Sequence, residues 1–183
     1  MAKTLATQVG DYFEGIVKDA LKVMAARTSV CWYRLSDTGS AGGRAHIGSQ
    51  PADFLLASCK QAVMLEVKAS TTHDDLTKSL MRPAQRLAIH QWSVENELPY
   101  LVLFWSFDTG IVQLWDGKEV LSADRKLNKE RALLGSTEVG EPGSWSVDKL
   151  ALAQLLLDNI PAVPVSELAD VISLAHKKWN IAQ

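Results

Sequence analysis

Apolar residues at Phe13, Ile16, Val17, Ala20, Leu21 and Met24 recur at three- and four-residue spacing, which predicts an amphipathic helix over residues 10–27. The segment TSVCWYRL that follows is β-rich, and SDTGSAGGRAHIGSQ is a glycine-rich polar loop with room to wrap a ligand. A hairpin is expected next, in ADFLLASCKQAVMLEVKA. THDDLTKSLMRPAQRLAIHQWSVENEL then predicts a short helix or loop, followed by a longer helix from about Pro83 to Glu97 with proline in its first turn. The nearly continuous apolar run YLVLFWSF suits a central strand, and GIVQLWDG suits a partner strand across the turn at Asp108 to Gly110. A basic helix is expected over 122–134, a loop at GSTEVGEPGSW, and two amphipathic helices in SVDKLALAQLLLDNI and SELADVISLAHKKWN. The order helix, strands, helix, strands implies an α/β fold in which helices flank a mixed central sheet. Residues 1–120 form the expected core, and residues 121–183 a helical C-terminal extension that packs on the core or serves self-association.

Three charges interrupt the apolar hairpin, namely Asp53, Glu66 and Lys68. With the turn centred between Cys59 and Lys60, Asp53 stands directly opposite Glu66, with Cβ atoms about 5 Å apart. Period two then puts Lys68 on the face of Glu66. A slip of one residue would separate them. Opposed carboxylates in a partly dry sheet repel each other and resist ionisation, and a divalent cation between them removes the conflict. Mg²⁺ takes oxygen donors, commonly one or two carboxylates with water and a phosphate, so the pair needs no histidine or cysteine. Lys68 beside such a site would orient or activate a water and oppose the negative charge that develops during phosphodiester hydrolysis. The alternative is a solvated face or a salt-bridged pair, against which the flanking FLL, VML and V residues weigh.

Composition narrows the remaining choices. The chain has 183 residues, 47% of them hydrophobic, enough for one substantial core without a staple. No apolar run reaches the roughly 20 residues of a membrane span, and no secretory signal is expected at the N-terminus, so a cytoplasmic location is expected, or the host cytoplasm for a phage-encoded chain. Cys31 and Cys59 are too few and too far apart for a metal or redox motif and read as reduced core or turn residues. The net charge is −2, but residues 22–86 hold nine Lys/Arg against five Asp/Glu, so the positive charge surrounds the hairpin. Arg34 and Arg44 are candidates for DNA phosphates, with Gly42 and Gly43 allowing close backbone approach, and so are Lys78, Arg82 and Arg86 at four-residue intervals. His46 and His73 flank the hairpin as polar loop residues. Trp32, Trp105, Trp115 and Trp145 read as core aromatics rather than stacking platforms.

PADF and Glu66-Val67-Lys68, joined by a short hairpin, resemble the two halves of the PD-(D/E)xK nuclease motif. GDYFEGIVKDAL is similar to the first helix of the resolvase-like branch of that superfamily, whose acidic residue approaches the metal and corresponds to Glu14. LMRPAQRLAIHQW and ELPYLVLFWSF resemble its later helix and core strand, with Gln85 matching a glutamine beside the active site and Arg82 its basic neighbourhood. The resemblance covers about residues 10–115 and is nearest to Holliday junction resolvases of archaeal, Gram-positive bacterial and phage types. It implies a restriction-endonuclease-like fold. It also implies that Asp53, Glu66 and the Val67 carbonyl hold Mg²⁺ or Mn²⁺, directly or through water with Glu14, and that Lys68 stands beside the attacking water. A homodimer making paired cuts in branched DNA is the expected assembly. Restriction, repair or end-processing nucleases of the same superfamily, and a non-catalytic DNA-binding or protein-interaction module on the same fold, are the alternatives.

Overall fold

A computed structural model describes residues 3–35, 50–58, 61–122 and 129–160. Helix α1 spans Leu5–Arg27 and starts five residues before the expected Gly10, because Thr4 caps it by accepting from the Thr7 N–H. Its buried stripe is Val9, Phe13, Val17, Ala20, Leu21 and Met24. Six strands follow: β1 (Cys31–Arg34), β2 (Phe54–Ala57), β3 (Ala62–Ser70), β4 (Tyr100–Ser106), β5 (Ile111–Asp116) and β6 (Leu133–Glu138). They form one sheet in chain order, antiparallel throughout except for the parallel pair β3/β4. A parallel pair needs a crossover, and it is supplied by a 3₁₀ turn at Lys78–Leu80, helix α2 (Pro83–Ile89) and a π-helical turn at His90–Glu95. Helices α3 (Gly117–Ser122), α4 (Lys129–Ala132) and α5 (Lys149–Asn159) complete the described elements. The expected mixed sheet with flanking helices is what forms.

Alternation along the strands divides the core in two. Val63, Leu65, Leu103, Trp105, Val112 and Leu114 face α1 and α5. Met64, Tyr100, Val102, Phe104 and Trp115 face the crossover and α3. Every residue of β4 is buried, which explains its unbroken apolar run. At the β4/β5 turn Gly110 has φ +69°, and a Cβ there would meet the Gly140 carbonyl oxygen at 2.2 Å.

The expected helix over 122–134 and loop from Gly135 are corrected by α4 and β6. Leu133–Glu138 has few β-formers, and it becomes a strand by pairing with β5, with a bulge at Leu114/Trp115. Gly135 weakens the pattern because the Leu155 side chain of α5 occupies its Cβ side, 2.9 Å from where a Cβ would be. β6 lies in the same sheet as β1 to β5, and Leu152, Ala153, Leu155, Leu156 and Ile160 pack in the core with α1, so the core continues beyond residue 120 to Ile160. The second C-terminal helix expected from the sequence lies outside the described residues. Cys31 is exposed on β1 rather than in the core or a turn, and Cys59 lies outside the described residues. Trp105 and Trp115 are fully buried, whereas Trp145 is 41% exposed, set edge-on to Tyr12 and tilted against Phe107. Among the described residues no helix is long and apolar enough to cross a membrane.

Candidate active site

The β2/β3 ladder runs from Ala57 opposite Ala62 to Phe54 opposite Leu65, and one step further along it Asp53 stands opposite Glu66. This is the register read from the sequence. β2 begins at Phe54, so Asp53 lies where the strand has not yet started, and its Oδ2 takes over the role of a ladder acceptor by binding the Val67 N–H at 2.7 Å. The N–H and C=O of one strand residue point to the same edge. The Val67 carbonyl therefore also opens toward the edge of β3 that β2 leaves uncovered.

Glu66 is 1% exposed, on the crossover face, paired in register with Val102 of β4. Its Oε1 accepts from two donors, the Gln85 amide and the Lys68 ammonium, the latter at 2.7 Å. Gln85 is itself fixed. Its Oε1 accepts the Arg82 N–H at 2.9 Å at the start of α2, which commits its Nε2 to donate toward Glu66. Pro83 at the first helical position sets that start and places Gln85 at the third, buried. Lys68 is 17% exposed at the side chain, so it joins the buried carboxylate to the rim.

The pair carries the electrostatic conflict expected of it. Burial, then the charge of Asp53, push the Glu66 carboxyl up to about 7, although Lys68 and Arg82 oppose the shift. Burial also raises the Asp53 carboxyl, against the Val67 N–H and the Lys68 charge, and Glu14 is near enough to add to the rise. Tyr100, which sequence reasoning placed only in the core strand, belongs to the site. Burial and the charges of Glu66 and Asp53 raise its phenol above the ordinary range, and its hydroxyl donates to the Pro51 carbonyl at 2.5 Å. Nothing in the run PYLVLFWSF marks that tyrosine apart from its neighbours.

The remaining candidates are distributed around this centre. Glu14, on α1, is near enough to act on Asp53, and its Oε1 forms an ion pair with Arg34 at 2.7 Å and a longer one with Lys18 at 3.6 Å. Arg34, at the end of β1, is therefore engaged with protein but half-exposed. Lys78 donates to the Leu121 carbonyl at 3.0 Å. Lys78, Arg82 and Arg86 do not form one helical row, since the 3₁₀ turn ends before α2 begins. Arg82 is exposed and acts electrostatically on both carboxylates. His73 meets the Thr72 hydroxyl at 2.8 Å. Arg44, His46, Gly42 and Gly43 lie outside the described residues, as do Arg125 and Lys126 of the expected basic helix. Lys129 and Arg131 of that helix pair with Asp75 and Glu119.

No protein-family model matches the chain, and no curated protein matches it. Among solved structures it is similar to Hjc, a Holliday junction resolvase of the archaeal hyperthermophile Archaeoglobus fulgidus. The likeness is remote, with 9% identity and a TM-score of 0.38 over 87% of this chain and 98% of that one.

Two carboxylates and a main-chain carbonyl, at a place where two negative charges oppose each other's ionisation, would offer a cation oxygen donors only. Among the described residues no three His, Cys, Asp or Glu side chains gather into a metal-holding group. An oxygen-only set of this kind would suit Mg²⁺ or Mn²⁺ better than zinc. Gln85→Ala removes a donor to the central carboxylate and should lower any metal-dependent rate by roughly 10- to 100-fold. A single-turnover rate equal to wild type would show that the amide serves packing alone.

Proposed function

We propose that the chain is a Mg²⁺-dependent DNA endonuclease, with Mn²⁺ as substitute, structure-selective for branched DNA and acting as a homodimer. The observation that carries the hydrolytic reading is the half-buried Asp53 set against the buried Glu66 at the end of β2, with Lys68 on the same face of β3. A binding module has no use for two carboxylates held in mutual repulsion. A phosphodiesterase does, because they keep a cation at the scissile phosphate. When bound, that cation supplies charge neutralisation at the phosphate and a more acidic water.

The chain's own residues do the rest. Asp53, Glu66 and the Val67 carbonyl would hold the ion, and Gln85 fixes the orientation of Glu66. Lys68, at the rim, orients the attacking water and opposes negative charge on the phosphate oxygens. Arg82, the N-cap residue of α2, acts electrostatically on both carboxylates and is suited to a neighbouring phosphate, and Arg86 in α2 and Arg34 at the end of β1 are further candidates for phosphate contact. Lys78 contributes less directly, since its ammonium is tied to Leu121. The preference for branched DNA, and the dimer that paired cuts require, come from the resemblance of the four sequence elements to resolvases.

The test is incubation with labelled four-way junction, fork, linear duplex and single strand in Mg²⁺. The expected result is junction cutting far faster than duplex cutting, in symmetric nicks. Equal cutting of linear duplex would replace the branched-DNA reading with a restriction, repair or end-processing nuclease. Cutting of none of them would remove the enzymatic reading.

A further inference from the structure

Tyr100 opens β4 beside Met64, two residues short of Val102, the parallel partner of Glu66. Tyr100, Val102 and Phe104 therefore share the face that carries Met64, Glu66 and Lys68. The length of the phenol carries its hydroxyl along this face to the Pro51 carbonyl, two residues before Asp53. The bond reaches across β3 and ties the segment entering β2 to β4.

The ring has no latitude. Tyr100 is 1% exposed, and Gly117 leaves space that a Cβ would close, standing 2.8 Å from the Tyr100 carbonyl oxygen and 3.0 Å from ring carbon Cδ1. Asp53 itself is held at its main-chain oxygen by the Leu35 N–H at 2.9 Å and at Oδ2 by the Val67 N–H. Neither contact restrains Pro51, which has no N–H of its own to donate. The Tyr100 hydroxyl supplies that restraint, and the Glu66 side chain stands within hydrogen-bonding reach of the same hydroxyl.

We propose that Tyr100 is a positioning residue for the carboxylate pair: through Pro51 it sets where Asp53 stands opposite Glu66, and divalent-ion affinity depends on its hydroxyl. This rests on the reading that Asp53 and Glu66 hold a divalent ion. Tyr100→Phe keeps the ring and removes the bond.

Mn²⁺ titration of the full chain by calorimetry, beside thermal melting in EDTA, separates positioning from packing. Tyr100→Phe should weaken Mn²⁺ binding roughly tenfold or more, the range for removing a partner that orients a metal ligand. 4-Aminophenylalanine at position 100 retains a donor for Pro51 and should restore most of the affinity. A lower melting temperature with unchanged Mn²⁺ affinity, or affinity not restored by the amino analogue, overturns the proposal. Absence of Mn²⁺ binding in the wild type would instead overturn the metal reading beneath it, a result distinct from equal binding by wild type and Tyr100→Phe.

Discussion

Lys68→Ala is expected to slow single-turnover DNA cleavage by about 10³-fold while leaving DNA affinity within a few-fold of wild type. A single preorganised donor at a developing charge is worth about 10²- to 10³-fold, and positioning of the attacking water adds to it. Lys68 suits that role by its placement. It sits on β3, a strand held on both sides over much of its length, and it shares a face with Glu66, yet its side chain is at the rim. Phosphate affinity should survive because Arg82 and Arg86 stand on a different element. Gel-shift titration beside the rate measurement checks both halves. A variant that cuts at the wild-type rate would remove Lys68 from the chemistry, and one that loses binding and rate together would make it a DNA-contact residue only.

Glu66→Gln should have two opposite effects, abolishing divalent-ion binding and stabilising the metal-free fold above neutral pH. The Glu66 carboxyl is raised from its ordinary 4.5 to about 7, first by burial and then by Asp53. Between these values the folded chain holds a proton that the unfolded chain releases. The stability contribution is therefore complete below pH 4.5, declines as pH rises, and is lost above about 7. The displacement corresponds to about 3 kcal/mol, so Glu66→Gln in EDTA at pH 8 should gain on the order of that amount and show little gain at pH 4.5. Urea unfolding at the two pH values measures it. Equal stability of the two proteins at pH 8 would mean that the carboxylate is better accommodated than its burial implies.

How much of this was legible in the sequence differs by residue. The hairpin register was readable because two apolar runs joined by a short turn leave few pairings that keep Phe54, Leu56, Val63 and Leu65 on one buried face. That register placed Asp53 against Glu66. Gln85 was reached through the resemblance, and Pro83 marked the helix start that aims it. β6 was not legible, since Gly135 and the polar residues around it carry no strand pattern, and its state is decided by β5 and by Leu155. Tyr100 was hidden for a different reason. In an apolar strand a tyrosine looks like a core residue until the backbone shows where its hydroxyl ends.

The ion pair of Glu14 with Arg34 likewise depended on contacts between α1 and β1 that no local pattern encodes.

The Asp53/Glu66/Lys68 hairpin is proposed to hydrolyse phosphodiester bonds with a divalent ion. Single-turnover cleavage of a labelled four-way junction by the wild-type chain, in Mg²⁺ and in EDTA, with Lys68→Ala in parallel, tests it most directly. Cutting is expected in Mg²⁺, none in EDTA, and recovery when Mn²⁺ is added. Equal cutting in EDTA, or by Lys68→Ala in Mg²⁺, would contradict it.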